Sequence, residues 1–243
     1  MSSPNAPKGF QFTFIFAFIV CVVCSVMLSA VYKGLLPKQE LNADLEVKKN
    51  ILKAVKLTKP LPMHLTAQEY LKIYKDKIEE LVIDEQGVVI EGKKPSEIKD
   101  SDKGMYPLYI YKEDGQVIAY AYPISGFGLW SMLFGYLAIE PDAITVRGIT
   151  FYKHGETPGL GGEIEKDWFQ DNFKGKKIWS TTQHQLTPIA LVKGKVKDFY
   201  QDEKADSHVD GITASTMTGK GVTALLDKEI KKYEPFFSKL RKA

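Results

Sequence analysis

Leu108–Tyr122 reads LYIYKEDGQVIAYAY, two apolar runs parted by a short polar turn. The runs Leu108–Tyr111 and Val117–Tyr122 are rich in Tyr, Ile and Val, the residue types that suit a pleated, half-buried surface. Glu113-Asp114-Gly115 lies between them, and Asp-Gly is a strong short-range hairpin signal. The stretch therefore predicts an antiparallel strand pair.

The same pattern recurs outward. Leu81–Ile83 and Val88–Ile90 flank Gly87 upstream, and Tyr136–Ile139 and Ile144–Tyr152 are joined across Pro141-Asp142 downstream. Leu186–Val192 reads as a late strand. Helical signals bracket these pairs. Thr66 is a candidate N-cap whose capping box is completed by Glu69, opening a helix through Leu71, Ile73, Tyr74 and Ile78. Glu163–Phe173 reads as a second helix, and Gly221–Tyr233 as a third with Val222, Leu225, Leu226 and Ile230 inward. Clustered hairpins among helices predict an α+β domain with a mainly antiparallel sheet flanked by helices.

Further upstream, Phe12–Val31 (FTFIFAFIVCVVCSVMLSAV) carries no charge over the roughly 20 residues that cross a bilayer. Lys8 precedes it, and Tyr32 with Lys33 stands at the far interface. The apolar core of a cleaved signal peptide is shorter, ~7–15 residues, so a retained single-pass anchor is expected. Lys8 and the terminal amine on one side balance Lys33 and Lys38 on the other, and the charge count does not choose an orientation. Gln39–Leu57 reads as an amphipathic helix leading away from the membrane, interrupted at Lys59–Pro62. The expected organisation is a flank at 1–11, a span at 12–32, a helical connecting segment at 33–82 and a soluble domain at 83–243.

Several function classes find no support. A net charge of +3 over 243 residues, with no Lys/Arg tract interleaved with aromatics, gives no footprint for nucleic acid. Cys21 and Cys24 both lie in the apolar span without a neighbouring His, Asp or Glu, so their C-x-x-C spacing reads as two small apolar residues in lipid. The four histidines, His64, His154, His184 and His208, show no zinc spacing. No nucleophile-base-acid set stands out, so neither a catalytic residue nor a metal ligand is expected.

Three stretches could carry chemistry. Asp210–Val222 (DGITASTMTGKGV) crowds the hydroxyls of Thr213, Ser215, Thr216 and Thr218 before a helix. Thr216 or Thr218 could cap that helix. A helix N-terminus with Lys220 beside it also suits a phosphate. The P-loop pattern is not met, because Gly211 is too far from Gly219-Lys220 and Gly221 replaces the required hydroxyl. His154–Gly162 (HGETPGLGG) is a tight glycine-rich loop. A dinucleotide fingerprint would need glycine at Ile164. Phe127–Tyr136 (FGLWSMLFGY) offers Trp130 as a ring-stacking candidate, although such residues are more often core.

Taken together, the anchor, GLWSMLFGYLAIE at Gly128–Glu140, GITFYKHGETPGLGGEI at Gly148–Ile164 and VDGITASTMTGKGV at Val209–Val222 resemble one family. It is that of the C subunits of sodium-translocating NADH:quinone reductases, within the wider FMN-binding-domain family. The resemblance implies an FMN joined covalently, through a phosphoester, to a threonine in a motif whose usual form is S-G-A-T. Laid on Thr213-Ala214-Ser215-Thr216, that motif makes Thr216 the flavin carrier and Thr218 the second candidate. Ala214 replaces the usual glycine, removing a residue tolerant of positive φ. Ser215 replaces the usual alanine, adding a hydroxyl that could compete for attachment or bond the phosphate.

The resemblance further implies that Glu156, Thr157, Leu160 and Gly161, with Leu129 and Trp130, hold the flavin ring. It implies attachment by a separate flavin transferase, other membrane subunits as partners, and single-electron relay on the path from NADH to quinone (ubiquinone) that drives sodium outward. The NADH and quinone sites would belong to those other subunits. Orientation follows the same likeness, with residues 1–11 cytoplasmic and the soluble domain on the periplasmic side of the bacterial inner membrane. Three other functions stand beside this reading: the related G subunit of a ferredoxin:NAD oxidoreductase complex, a non-redox membrane-tethered binding module, and a free-standing flavoenzyme using His154 as proton donor.

Overall fold

The computed structural model describes residues 8–56, 65–99 and 101–242. The expected break at Lys59–Pro62, residues 1–7 of the N-terminal flank and His64 lie outside them. The chain divides into two compact units, Met1–Glu46 and Val47–Ala243.

In the first unit, helix α1 (Lys8–Ala54) begins and runs through Pro37 without a break. The two helices expected at 12–31 and 39–57 are thus one. Every residue of the apolar stretch Phe12–Val31 is exposed, and the helix is long and apolar enough to cross a membrane. Two of its hydroxyls bond within the helix. Thr13 Oγ1 donates to the Gly9 carbonyl at 2.8 Å and Ser25 Oγ to that of Cys21 at 2.7 Å, as an apolar surrounding demands.

The second unit is built on five antiparallel strands in sequence order: β1 (Ile78–Asp84), β2 (Met105–Glu113), β3 (Gln116–Phe127), β4 (Met132–Ile139) and β5 (Val146–Lys153). Asp114 and Gly115, at φ 50° and 79°, make the turn between β2 and β3. Period-two alternation then sends successive side chains to opposite faces. Leu108, Ile110, Tyr120 and Tyr122 face one way, into a core completed by Val222, Leu225, Leu226, Ile230, Tyr233 and Phe237. Those last residues belong to the C-terminal helix Thr216–Leu240. The Tyr122 and Tyr233 rings stack at 4.0 Å, and the Tyr233 hydroxyl donates to the Pro107 carbonyl at 2.9 Å.

Tyr109, Tyr111, Ala119, Ala121, Tyr136 and Ala138 face the other way. They are covered by Ile51, Leu52 and Ala54 from the last turns of α1, by Val55 just after it, and by Tyr74 of the capping-box helix α2 (Ala67–Lys77). The end of α1 is fastened there. The Arg147 guanidinium donates to the Val55 and Lys56 carbonyls and, at 3.1 Å, to both Glu140 oxygens. Lys53 pairs with Asp167 and Lys56 with Asp171. A Cβ on Gly148 would stand 2.5 Å from the Ala54 carbonyl oxygen. The compact unit therefore begins at Val47, where a soluble domain was expected from 83, because the second face of the sheet needs Ile51, Leu52 and Val55 to leave water.

Three other elements differ from expectation. Glu163–Phe173 is not one helix. Short 3₁₀ turns flank α3 (Asp167–Gln170), because Lys166 is extended with ψ 144°. The late strand is split. In one part, β6 (Trp179–Ser180) pairs with β7 (Gln185–Leu186). In the other, β8 (Ala190–Leu191) lies parallel to β9 (His208–Val209). Pro188 lies between the halves and has no N–H for a ladder. Val88–Ile90 forms no full strand but an isolated bridge, Val89 opposite Ile83, with the Val88 carbonyl accepting from Asp84 N–H at 2.9 Å and the Ile90 N–H donating to the Val82 carbonyl at 2.8 Å.

Candidate functional site

The hydroxyl-rich stretch becomes the entry to the C-terminal helix, α4 (Thr216–Leu240). Ser215 stands at the N-cap position without a side-chain capping bond, so neither Thr216 nor Thr218 caps α4 as expected. The turn into it needs Ala214 at φ 58°. This is the left-handed region that glycine favours, and alanine holds the backbone that the usual glycine of the S-G-A-T motif would adopt freely.

On one flank of this turn, the chain after β8 runs beside the chain after β9. Val192 N–H donates to the Val209 carbonyl at 3.0 Å and Gly211 N–H to that of Gly194 at 2.8 Å. A Cβ on Gly211 would meet the Val192 oxygen at 2.1 Å. Between the two runs and the first turn of α4 lies a cavity of about 610 Å³. It is lined by residues 191–194 and 211–216 together with Gly219 and Lys220. Thr213, Thr216 and Lys220 are exposed at it. Ser215 is only 5 % exposed, and its Oγ has no hydrogen-bond partner. The first N–H groups of a helix also lack intrahelical acceptors, so this flank combines an unpaired buried hydroxyl, free amides and two lysines, Lys193 and Lys220.

The other flank is closed. Thr218 is 1 % exposed, and its hydroxyl donates to Glu156 Oε2 at 2.7 Å. Glu156, 4 % exposed, also accepts the N–H groups of Leu129 at 3.1 Å, Trp130 at 2.9 Å and Ser131 at 3.1 Å. Burial pushes its carboxyl up, but the Thr218 hydroxyl and the Trp130, Leu129 and Ser131 amides together hold it below the ordinary carboxylate value. Ser131 Oγ accepts the Gly155 N–H at 2.6 Å, a second tie between the loops. Three glycines make these approaches possible. A Cβ on Gly128 would lie 2.6 Å from Glu156 Oε1, on Gly161 2.5 Å from Thr218 Oγ1, and on Gly221 2.4 Å from the Phe127 oxygen.

The expected site residues thus fall into two groups meeting at the start of α4. Thr213, Ser215, Thr216 and Lys220 line the cavity; Leu129, Trp130, Glu156 and Gly161 join Thr218 on the closed flank. Leu160 and Thr157 sit in the turn beside Gly161, where the Thr157 carbonyl accepts the Leu160 and Gly162 N–H groups. Leu129, Trp130 and Leu160 project into solvent, as do Phe127 and Met217 nearby. Sequence reading missed Leu191–Gly194, whose one signal is a glycine between cations, Lys193-Gly194-Lys195, following an apolar run. His154 lies beneath the loop, and its buried Nε2 has no hydrogen-bond partner among the described residues. Its Nδ1 accepts the Glu156 N–H at 3.2 Å, and its Nε2 lies 3.4 Å from Glu165.

Residues 128–231 match the FMN-binding domain family, a range that takes in both flanks. The C subunit of the Na(+)-translocating NADH-quinone reductase of Pseudomonas aeruginosa is 31% identical over 95% of this chain and 95% of its own length. Its counterpart from Yersinia pestis is 32% identical over 86% of this chain and 84% of its own length. The crystal structure of the corresponding protein from Parabacteroides distasonis superposes with a TM-score of 0.71 at 31% identity, covering 84% of this chain and 97% of that one. With this identity along nearly its whole length, the chain belongs to the family of Na(+)-translocating NADH-quinone reductase C subunits.

Proposed function

We propose that this chain is the electron-carrying subunit of a sodium-pumping NADH:quinone oxidoreductase, holding FMN through a phosphoester on Thr216. The observation that carries the reading is the contrast between two hydroxyls two residues apart. That of Thr216 lies exposed at the mouth of the cavity, within reach of a flavin transferase. That of Thr218 is buried and committed to Glu156. A phosphate on Thr216 would meet the free amides of the first turn of α4, the positive end of its dipole and the unpaired Ser215 hydroxyl, with Lys193 and Lys220 supplying charge. The Ser215 hydroxyl then donates a hydrogen bond to the phosphate and does not compete for attachment. Bound FMN supplies the one-electron chemistry. The chain's own part is to hold the phosphate, expose an apolar edge through Leu129, Trp130 and Leu160, and keep Glu156 ionised behind that edge.

The span at residues 12–32 anchors the chain in the bacterial inner membrane. Residues 1–11 lie on the cytoplasmic side and the folded domain on the periplasmic side, with the other subunits of the reductase as partners. In-gel flavin fluorescence after denaturation, on protein produced with a flavin transferase, tests the attachment. Fluorescence is expected in the wild type and in Thr218→Ala, and none in Thr216→Ala. A colourless wild type, with the transferase active on another substrate, would reject the electron-carrier reading.

A further inference from the structure

We infer that Glu156 is a positioning residue, acting from behind the Leu129-Trp130 edge of the flavin site by clamping the loop 128–131 to the first turn of α4. The inference rests on the reading of that edge as part of the flavin site. Trp130 is 72 % exposed and Leu129 47 % exposed, so packing of their side chains does little to hold them. What fixes the loop is its backbone. The N–H groups of three successive residues, 129 to 131, converge on one buried carboxylate, while the Gly128 N–H closes the turn on the Ser131 carbonyl at 2.8 Å. With the amides turned inward, the side chains at 129 and 130 stand outward. The Thr218 hydroxyl holds the same carboxylate from the helix carrying Thr216, and thereby refers the apolar edge to the attachment point. Gly128 and Gly161 leave no room for a Cβ on either side of this contact. A ligand edge set this way is preorganised by charge-assisted bonds, which are stronger than neutral ones.

The clamp can be tested with and without flavin in the full-length chain, using Glu156→Gln, Thr218→Val and Thr218→Ser. Glutamine keeps the size of the side chain but removes the negative charge on which the amides converge and replaces one of the two acceptor oxygens by a donor. Valine removes the hydroxyl of Thr218, and serine keeps it. In a Thr216→Ala background, which carries no flavin, amide hydrogen exchange across 127–132 should rise about tenfold for Glu156→Gln and Thr218→Val. It should stay at the wild-type rate for Thr218→Ser. In flavin-loaded protein the first two should keep covalent fluorescence while their flavin midpoint potential moves, and Thr218→Ser should restore it. Unchanged exchange in both Glu156→Gln and Thr218→Val, or a potential that stays fixed although the loop has loosened, would overturn the inference. A wild-type chain that takes up no flavin would sink the covalent-carrier reading, while the flavin-free exchange comparison would still decide whether the clamp exists. If Glu156→Gln does not fold, Thr218→Val against Thr218→Ser decides alone.

Discussion

On one flank of the first turn of α4, a buried carboxylate draws in three amides and a hydroxyl, and glycines bring the backbones together. On the other flank the chain stands off, leaving about 610 Å³ and a buried serine hydroxyl without a partner. One turn of helix thus separates polar groups that are satisfied internally from polar groups left for something else to satisfy. A buried unpaired donor costs about 1–3 kcal/mol, and an acceptor placed in the cavity beside Ser215 would recover that cost. Rigidity and openness are complementary here. The closed flank holds still the helix end from which the open flank works.

The largest break in this comparison should come from Glu156→Ala. It leaves the Leu129, Trp130 and Ser131 amides and the Thr218 hydroxyl without their acceptor, and about 3 kcal/mol of stability should be lost in urea unfolding of the wild type against the variant. A loss under about 1 kcal/mol would mean that water replaces the carboxylate and that the flank is not closed. Gly221→Ala comes next. Its Cβ would press on the Phe127 carbonyl oxygen, backbone against backbone, for a loss of about 2 kcal/mol by the same measurement.

Acid should open the closed flank selectively. The Glu156 pKa is lowered in the folded state, so its stabilisation is present above the ordinary glutamate value, about 4.3. It disappears as pH falls through the still lower folded value. Hydrogen exchange across 127–132 should therefore stay slow at neutral pH and, once corrected for intrinsic rates, speed up only as pH falls below the ordinary glutamate value. Glu156→Gln should remove that acid step, and an acid step that survives the substitution would point to another group.

The smallest effects belong to the open flank and have the opposite sign. Ala214→Gly should stabilise by about 0.5 kcal/mol, since relief of a left-handed alanine outweighs the greater freedom of glycine in the unfolded chain. Gly219→Ala should raise the melting temperature slightly, by helix propensity of up to about 1 kcal/mol. The nearest atom to its Cβ would be Leu191 Cδ2 at 3.4 Å, an ordinary contact. If Gly219→Ala proved as damaging as Gly221→Ala, the two flanks would not differ in this way.

What could be read from the residues, and what could not, follows from range. Asp114-Gly115 and the Thr66–Glu69 capping box announce themselves because their chemistry is local, and both are present. The alternation Leu108-Tyr109-Ile110-Tyr111 gives two apolar faces, but which helix covers each is decided by residues far away in sequence. Ile51 and Leu52 show the right periodicity without showing their partners. The site divides the same way. Thr213, Ser215, Thr216 and Lys220 sit together in the chain and stay together in the fold. The Glu156–Thr218 bond spans 62 positions, and nothing near either residue signals it. Lys193 and Gly194 reach the cavity only through the parallel pairing of β8 with β9, strands too short to stand out by pattern.

The manner in which α1 ends bears on how this protein can be handled in the laboratory. A water-soluble version trimmed to the sheet and its C-terminal helix, beginning at residue 83, would cut through β1 and strip Tyr109, Tyr111 and Tyr136 of their cover. It would also leave Arg147 with no carbonyl to hold at Val55 or Lys56. Such a fragment should precipitate or self-associate through that bared aromatic face. One beginning at Val47, with the apolar span removed and the last turns of α1 kept, should be soluble as a monomer.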